Sequence, residues 1–217
     1  MKRNYRFNTE LYCITAEELS MGRSNIEVAR EMIAAGVKII QYREKDKKMN
    51  AKYRECSAIR EMTKTAGVTF IVNDDIALAM IVQADGVHIG QDDLPIEKVR
   101  ELVGDKMIIG LSTHCPAEAQ QAVVSGADYI GVGPMFKTAT KKDVCDPVGF
   151  EYLKYVAENI SIPFVAIGGI KLNNIPEIVR CGTGCLAIIS EITTAQDIPG
   201  RINQIREVIK NSIVEEK

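Results

Sequence analysis

The chain is poor in most features that mark a nucleic-acid binder, a membrane protein or a hydrolase with a nucleophilic side chain. Its net charge is only −2, from 27 Lys and Arg against 29 Asp and Glu, so no general cationic field is available for nucleic acid or anionic lipid. It has no run of about 18 apolar residues, and no membrane span is expected. The stretch Met1–Glu10 carries Lys and Arg but no apolar core ending in small residues, so it does not read as a secretory signal. No CxxC pair occurs among Cys13, Cys56, Cys115, Cys145, Cys181 and Cys185. Reduced structural thiols in a cytoplasmic protein are expected. Cys181 and Cys185 enclose Gly182 and Gly184 with no His nearby, which argues against a metal pair. With two histidines, no HExxH, no Ser-His-Asp ordering and no evident cysteine nucleophile, covalent catalysis has no obvious agent.

What is there is an alternation. Apolar runs read at Glu10–Thr15, Val37–Gln41, Thr69–Val72, Gly86–Ile89, Met107–Leu111, Tyr129–Val132, Phe164–Ile167 and Cys185–Ile189. They are mostly continuous, as in strands covered on both faces of a parallel sheet. Helical patterns separate them. Ser24 with Glu27 forms a capping box for a helix that stops at Gly36. Further helices are expected over 50–66, 76–82, 95–103, 116–125, 150–158, 172–180 and 198–214. Eight strand–helix units of about 27 residues each, with no linker between them, predict an α/β fold, a single (β/α)8 TIM barrel over 1–217. A doubly wound open sheet is the rival, but Thr15–Arg23 offers only Gly22 for the glycine-rich turn that it would need.

In a barrel, chemistry gathers where strands end. After the second strand, Gln41, Arg43 and Lys45 project to one side of an extended chain and Tyr42 and Glu44 to the other. An amide and two cations on one face suit an anion rich in oxygens, such as a diphosphate, though a solvated loop would read the same way. The third strand ends in Asn73-Asp74-Asp75. Asp75 is placed to cap the next helix, which leaves Asn73 and Asp74 for the mouth. The fourth ends in His88-Ile89-Gly90-Gln91-Asp92-Asp93, where one carboxylate can cap the helix after Pro95. Acidic tips beside a cationic one suit Mg²⁺, which takes one or two carboxylates and completes its shell with water and phosphate oxygens.

The fifth strand brings Ser112, Thr113 and His114. His88, several residues before its strand tip, reads as a hydrogen-bonded strand residue. After the sixth strand comes a polar loop of about 16 residues carrying Thr138, Thr140, Lys137, Lys141 and Lys142, a length usual for lids and binding loops. Gly168-Gly169 after the seventh strand and Ser190 after the eighth suit a second, single phosphate.

The motifs Gln41–Lys45 (Q-x-R-E-K), VNDD at Val72–Asp75, ADGVHIGQDD at Ala84–Asp93, GVGPMFKTATKKD at Gly131–Asp143 and VAIGGI at Val165–Ile170 occur in this order. In them the chain resembles the thiamine phosphate synthase (thiamine-phosphate pyrophosphorylase) family from about Tyr12 to Val208. The resemblance implies a (β/α)8 transferase of thiamine biosynthesis. It would join 4-amino-5-hydroxymethyl-2-methylpyrimidine diphosphate to 4-methyl-5-(2-phosphoethyl)thiazole, giving thiamine phosphate and diphosphate by a dissociative, Mg²⁺-assisted substitution. It implies that Gln41, Tyr42, Arg43, Glu44, Lys45, Asn73, Ser112 and Lys141 bind the pyrimidine diphosphate. Arg43, Lys45, Ser112 and Lys141 would act on the reaction itself. Thr138, Ala139, Thr140, Gly169, Ile189 and Ser190 would surround the thiazole phosphate, and Asp74 and Asp93 would bind Mg²⁺. The partners implied are these two small molecules, with no nucleic acid or membrane.

The chain departs from the family pattern at Lys137, where proline is common, and in Cys181–Leu186, usually a run of small residues. A thiazole tautomerase of the same fold and a non-catalytic phosphate-binding barrel are the alternatives. Neither needs Gln41, Asn73, Asp74 and Asp93 together.

Overall fold

In the computed structural model, which describes residues 7, 9–138, 140 and 145–214, the apolar runs form eight strands. They are β1 (Leu11–Ile14), β2 (Ile39–Tyr42), β3 (Thr69–Asn73), β4 (Gly86–Ile89), β5 (Ile108–Thr113), β6 (Tyr129–Val132), β7 (Phe164–Ile167) and β8 (Leu186–Ile188). All neighbours pair in parallel and in chain order, and β8 returns to β1 through Tyr12 opposite Ala187, closing the barrel. The barrel expected from the eightfold alternation is therefore the one found, and the open sheet is excluded.

The helices are α1 (Asn25–Ala34), α2 (Met49–Ala66), α3 (Ile76–Ile81), α4 (Ile96–Val103), α5 (Pro116–Val124), α6 (Gly149–Asn159), α7 (Ile175–Val179), α8 (Ser190–Thr193) and α9 (Ile198–Val214). The capping box on α1 forms as read, with Ser24 accepting from the Glu27 amide. Gly67 ends α2 in the left-handed conformation that glycine adopts without strain. Helix α7 is shorter than its pattern, which began at Leu172. The Asn174 side chain instead accepts from the Lys171 amide at 2.8 Å and donates to the Gly169 carbonyl at 3.0 Å. Such local bonds compete with a helical first turn.

Strand alternation sorts the chain into two apolar layers. Leu11, Cys13, Ile40, Val72, Val87, Ile109 and Ile130 face outward onto the helices. Tyr12, Ile14, Ile39, Ile71, Ile108, Tyr129 and Val165 fill the barrel interior. Room for the interior Tyr129 comes from Gly110, where a Cβ would lie 2.1 Å from the ring. The seam is stitched by α9, whose Arg206 donates to the Glu10 carboxylate at 2.6 Å and to the Ala35 carbonyl at 2.5 Å. Ile202 and Ile205 of α9 are fully buried.

Candidate active site

A cavity of about 500 Å³ opens at the C-terminal ends of the strands, and residues at the ends of all eight line it. Strand parity decides what β2 sends there. Gln41, Arg43 and Lys45 line the cavity, while Tyr42 and Glu44 turn the other way. Tyr42 and Glu44, expected at the pyrimidine diphosphate, are thus not among the residues lining this cavity. The Tyr42 hydroxyl donates to Glu55 at 2.8 Å, and the Glu44 carboxylate accepts from the Glu17 amide at 2.9 Å and the Asn25 side chain at 2.8 Å. Lys47 bridges Glu17 and Glu55 in the same cluster. Burial alone would raise the Glu55 pKa, but the bonds from Lys47, Asn25 and Tyr42 outweigh it and hold the carboxyl below its ordinary value. The cluster anchors the loop that carries Arg43 and Lys45, and the Arg43 amide is further held by the Thr15 hydroxyl at 3.1 Å.

From β3, Asn73 and Asp74 face the cavity, while Asp75 caps α3 by accepting from the Leu78 amide at 3.0 Å. Asp74 sits at φ +60, a left-handed conformation that Asp tolerates better than most side chains. Its amide donates to the His88 carbonyl at 2.8 Å, and its carboxylate pairs with the Lys45 ammonium. From β4, Asp93 lines the same cavity and accepts from the Gly90 amide at 2.7 Å. The expected carboxylate cap on α4 is absent, since Pro95 stands at that position with no side-chain bond. Gln91 ties this loop to β5 by donating to the Ser112 carbonyl at 2.7 Å.

Ser112 faces the cavity with its hydroxyl 3.0 Å from His88 Nε2. His88 is the hydrogen-bonded strand residue expected, and it also lines the cavity. Thr113 points outward, donating to the Gly131 carbonyl and accepting from Tyr152. His114 reaches the cavity wall with Nδ1 2.5 Å from the Gly133 carbonyl, so Nδ1 carries the proton there.

Thr138 and Thr140 line the cavity from the loop after β6. Ala139 and Lys141, also expected there, lie outside the described residues, as do Lys142 and Asp143. That loop presses against Gly168 and Gly169. A Cβ on Gly168 would meet Pro134 at 2.5 Å and one on Gly169 the Lys137 carbonyl at 2.8 Å, and both glycines have positive φ. The pair therefore serves close backbone approach between two loops, besides lining the cavity. Ile189 and Ser190 complete the rim. Two nearby groups escaped the sequence reading. Lys171 donates to the Ser190 hydroxyl at 2.9 Å, and Cys145 lines the cavity. Lys171 follows the Gly168-Gly169-Ile170 tip directly, and that placement was its available signal.

A family model described as thiamine monophosphate synthase matches residues 11–192, which spans β1 to α8. The chain belongs to the thiamine monophosphate synthase family. Relatives include a thiamine-phosphate synthase of Pelotomaculum thermopropionicum, 62% identical over 92% of each chain. Another, from Lawsonia intracellularis, is 54% identical over 93% of each. Among solved structures, a thiamine phosphate pyrophosphorylase from Pyrococcus furiosus is similar with a TM-score of 0.85 and 33% identity, covering 94% of this chain and 97% of its own. This member of the thiamine monophosphate synthase family thus gathers Gln41, Arg43, Lys45, Asn73, Asp74, Asp93, Ser112, Thr138, Thr140, Gly169, Ile189 and Ser190 around one cavity.

Proposed function

We propose that the chain, a thiamine-phosphate synthase and transferase by family, joins 4-amino-5-hydroxymethyl-2-methylpyrimidine diphosphate to 4-methyl-5-(2-phosphoethyl)thiazole in this cavity. It works as one catalytic domain over 1–217. The observation that carries this reading is that Arg43, Lys45, Asp74 and Asp93, at the tips of β2 to β4, line the same cavity as Gly169 and Ser190, at the tips of β7 and β8, with Lys45 paired to Asp74. Arg43 offers a planar fork to two diphosphate oxygens and Lys45 a point charge. Lys141 is assigned to the same diphosphate. Ser112 faces the pyrimidine, and the Thr138–Thr140 segment with Gly169, Ile189 and Ser190 receives the thiazole phosphate.

The donor set fits Mg²⁺. Asp74 and Asp93 line one cavity, and each carboxylate has a second oxygen besides the one held by Lys45 or Gly90. Among the described residues no group of three or more His, Cys, Asp or Glu could hold an ion unaided. A metal here would therefore share substrate oxygens, as Mg²⁺ does. When bound, the ion supplies neutralising charge to the departing diphosphate.

The protein's own groups then hold the leaving group in place while the thiazole nitrogen waits in the same cavity. Arg43 and Lys45 beside metal-binding carboxylates suit stabilisation of a leaving diphosphate, and we assign a dissociative order, with diphosphate leaving before the new bond forms. Cysteines scattered through the chain with no CxxC pair fit a reducing compartment, and we assign the enzyme to the cytoplasm. Among the described residues no helix is long and apolar enough to cross a membrane. Incubation with both substrates and Mg²⁺ tests the function. Thiamine phosphate and diphosphate should appear in equal amounts, and absence of thiamine phosphate with folded protein refutes the reading.

A further inference from the structure

Four hydrogen bonds run through the barrel interior from one wall of the cavity to another. Gln41 Nε2 donates to the Tyr12 hydroxyl at 2.8 Å, which meets the Tyr129 hydroxyl at 2.8 Å. The Tyr129 hydroxyl meets His88 Nδ1 at 2.8 Å, and His88 Nε2 meets Ser112 Oγ at 3.0 Å. Both end residues line the cavity, and the two tyrosines lie beneath it, 2% and 1% exposed. Desolvation pushes both phenol pKa values well above the ordinary range, so each keeps its single proton.

One proton per phenol fixes the direction of the series. With Gln41 donating to Tyr12, the Tyr12 proton goes to Tyr129 and the Tyr129 proton to His88 Nδ1. His88 then carries its proton on Nε2 and donates to Ser112, whose own proton is left to point into the cavity. The other order at Tyr129 would strand the Tyr12 proton in the interior without an acceptor, the costly arrangement for a buried hydroxyl. Turning the Gln41 amide over would reverse every link and leave Ser112 offering only lone pairs to the cavity.

We propose that Tyr129, backed by Tyr12, is a positioning residue of the reaction. It holds His88 as the neutral Nε2–H tautomer and thereby makes Ser112 a donor to an acceptor atom of the bound heterocycle, such as a ring nitrogen of an uncharged pyrimidine. The identity of that heterocycle rests on the function proposed above. The tautomer does not. Space for the device is built in, because Gly110 clears the Tyr129 ring, which a Cβ there would meet at 2.1 Å.

The chain has only two histidines, so correlation of ring nitrogens with ring protons in ¹⁵N-labelled protein at neutral pH reads both directly. Without substrate, His88 should show a protonated Nε2 and a bare Nδ1. His114, whose Nδ1 faces a carbonyl, should show the opposite and serves as an internal reference. Tyr129→Phe keeps the ring and removes the donor to Nδ1. It should shift the His88 signals toward a mixture of tautomers and leave those of His114 in place. The same variant should raise KM for the pyrimidine diphosphate about three- to tenfold and leave KM for the thiazole phosphate unchanged.

Parent protein with His88 protonated on Nδ1, or on both nitrogens, overturns the proposal whether or not the variant folds. An unchanged tautomer or unchanged KM in Tyr129→Phe overturns it as well. A correct tautomer in a protein that makes no thiamine phosphate would refute the function and not the relay.

Discussion

Gly110→Ala is a one-carbon change whose cost can be worked from the interior packing. The added Cβ would lie 2.1 Å from Tyr129 Cζ, 2.3 Å from Cε1 and 2.5 Å from the hydroxyl oxygen. Carbon atoms in comfortable contact sit about 3.5–4.0 Å apart, so the ring would have to retreat by more than an ångström. It has nowhere to go. Phe7 packs on it with ring centroids 4.5 Å apart, and Tyr12 and His88 hold its hydroxyl at 2.8 Å each. Overpacking of this kind costs about 1–3 kcal/mol, and losing two hydrogen bonds adds about 1 kcal/mol each. Gly110 is not in the left-handed region, so the smaller unfolded-state entropy of alanine returns about 0.4–1 kcal/mol. A net loss of about 2–4 kcal/mol should lower Tm by roughly 4–16 °C in a chain of this size. Thermal melts followed by circular dichroism would measure it. Gly110→Ala combined with Tyr129→Leu should be far less unstable than the two separate losses added, because the clash has been removed. A Tm for Gly110→Ala within about 2 °C of the parent would refute the packing argument.

Asp74→Asn and Asp93→Asn should each leave the melt nearly unchanged and slow Mg²⁺-dependent turnover about a hundredfold or more, a loss on the order of 3 kcal/mol. Parent-like rates in both variants would remove the carboxylates from the reaction. Arg43→Lys keeps the charge but not the two-pronged donor, and about tenfold weaker use of the pyrimidine diphosphate is expected in steady-state assays. No change would make Arg43 a surface charge. The Glu55 carboxyl titrates below its unfolded value, so its contribution to stability is present above the unfolded pKa and fades as pH falls through the lower folded one. The gap in urea midpoint between parent and Glu55→Gln should therefore narrow in acid, and a gap of equal size at neutral and strongly acidic pH would contradict the assignment.

Much of the barrel was legible because each unit carries an apolar run, and five of the helices also close at a glycine: Gly36, Gly67, Gly104, Gly126 and Gly182. Alternation also told which of Gln41 to Lys45 would reach the cavity, yet the motif as a whole was assigned to substrate. Tyr42 and Glu44 belong to the anchoring cluster with Glu55 and Lys47, residues that meet them only through folding. Tyr12 and Tyr129 were hidden for the opposite reason. Each sits in a run that reads as plain core, and nothing local reveals that its hydroxyl finds a partner more than a hundred residues away. The early residues of the expected 172–180 helix were lost to the side chain of Asn174, which periodicity does not weigh.

The Arg206 bonds have a bearing on how the protein is made. Glu10 precedes the first strand, and Ala35 follows the first helix, but their cationic partner comes from the last helix. Helix α9 also packs on α1. During synthesis, the first strand–helix unit therefore waits with one flank bare until α9 has left the ribosome, and the circle closes through contacts between residues 196 and 171 positions apart.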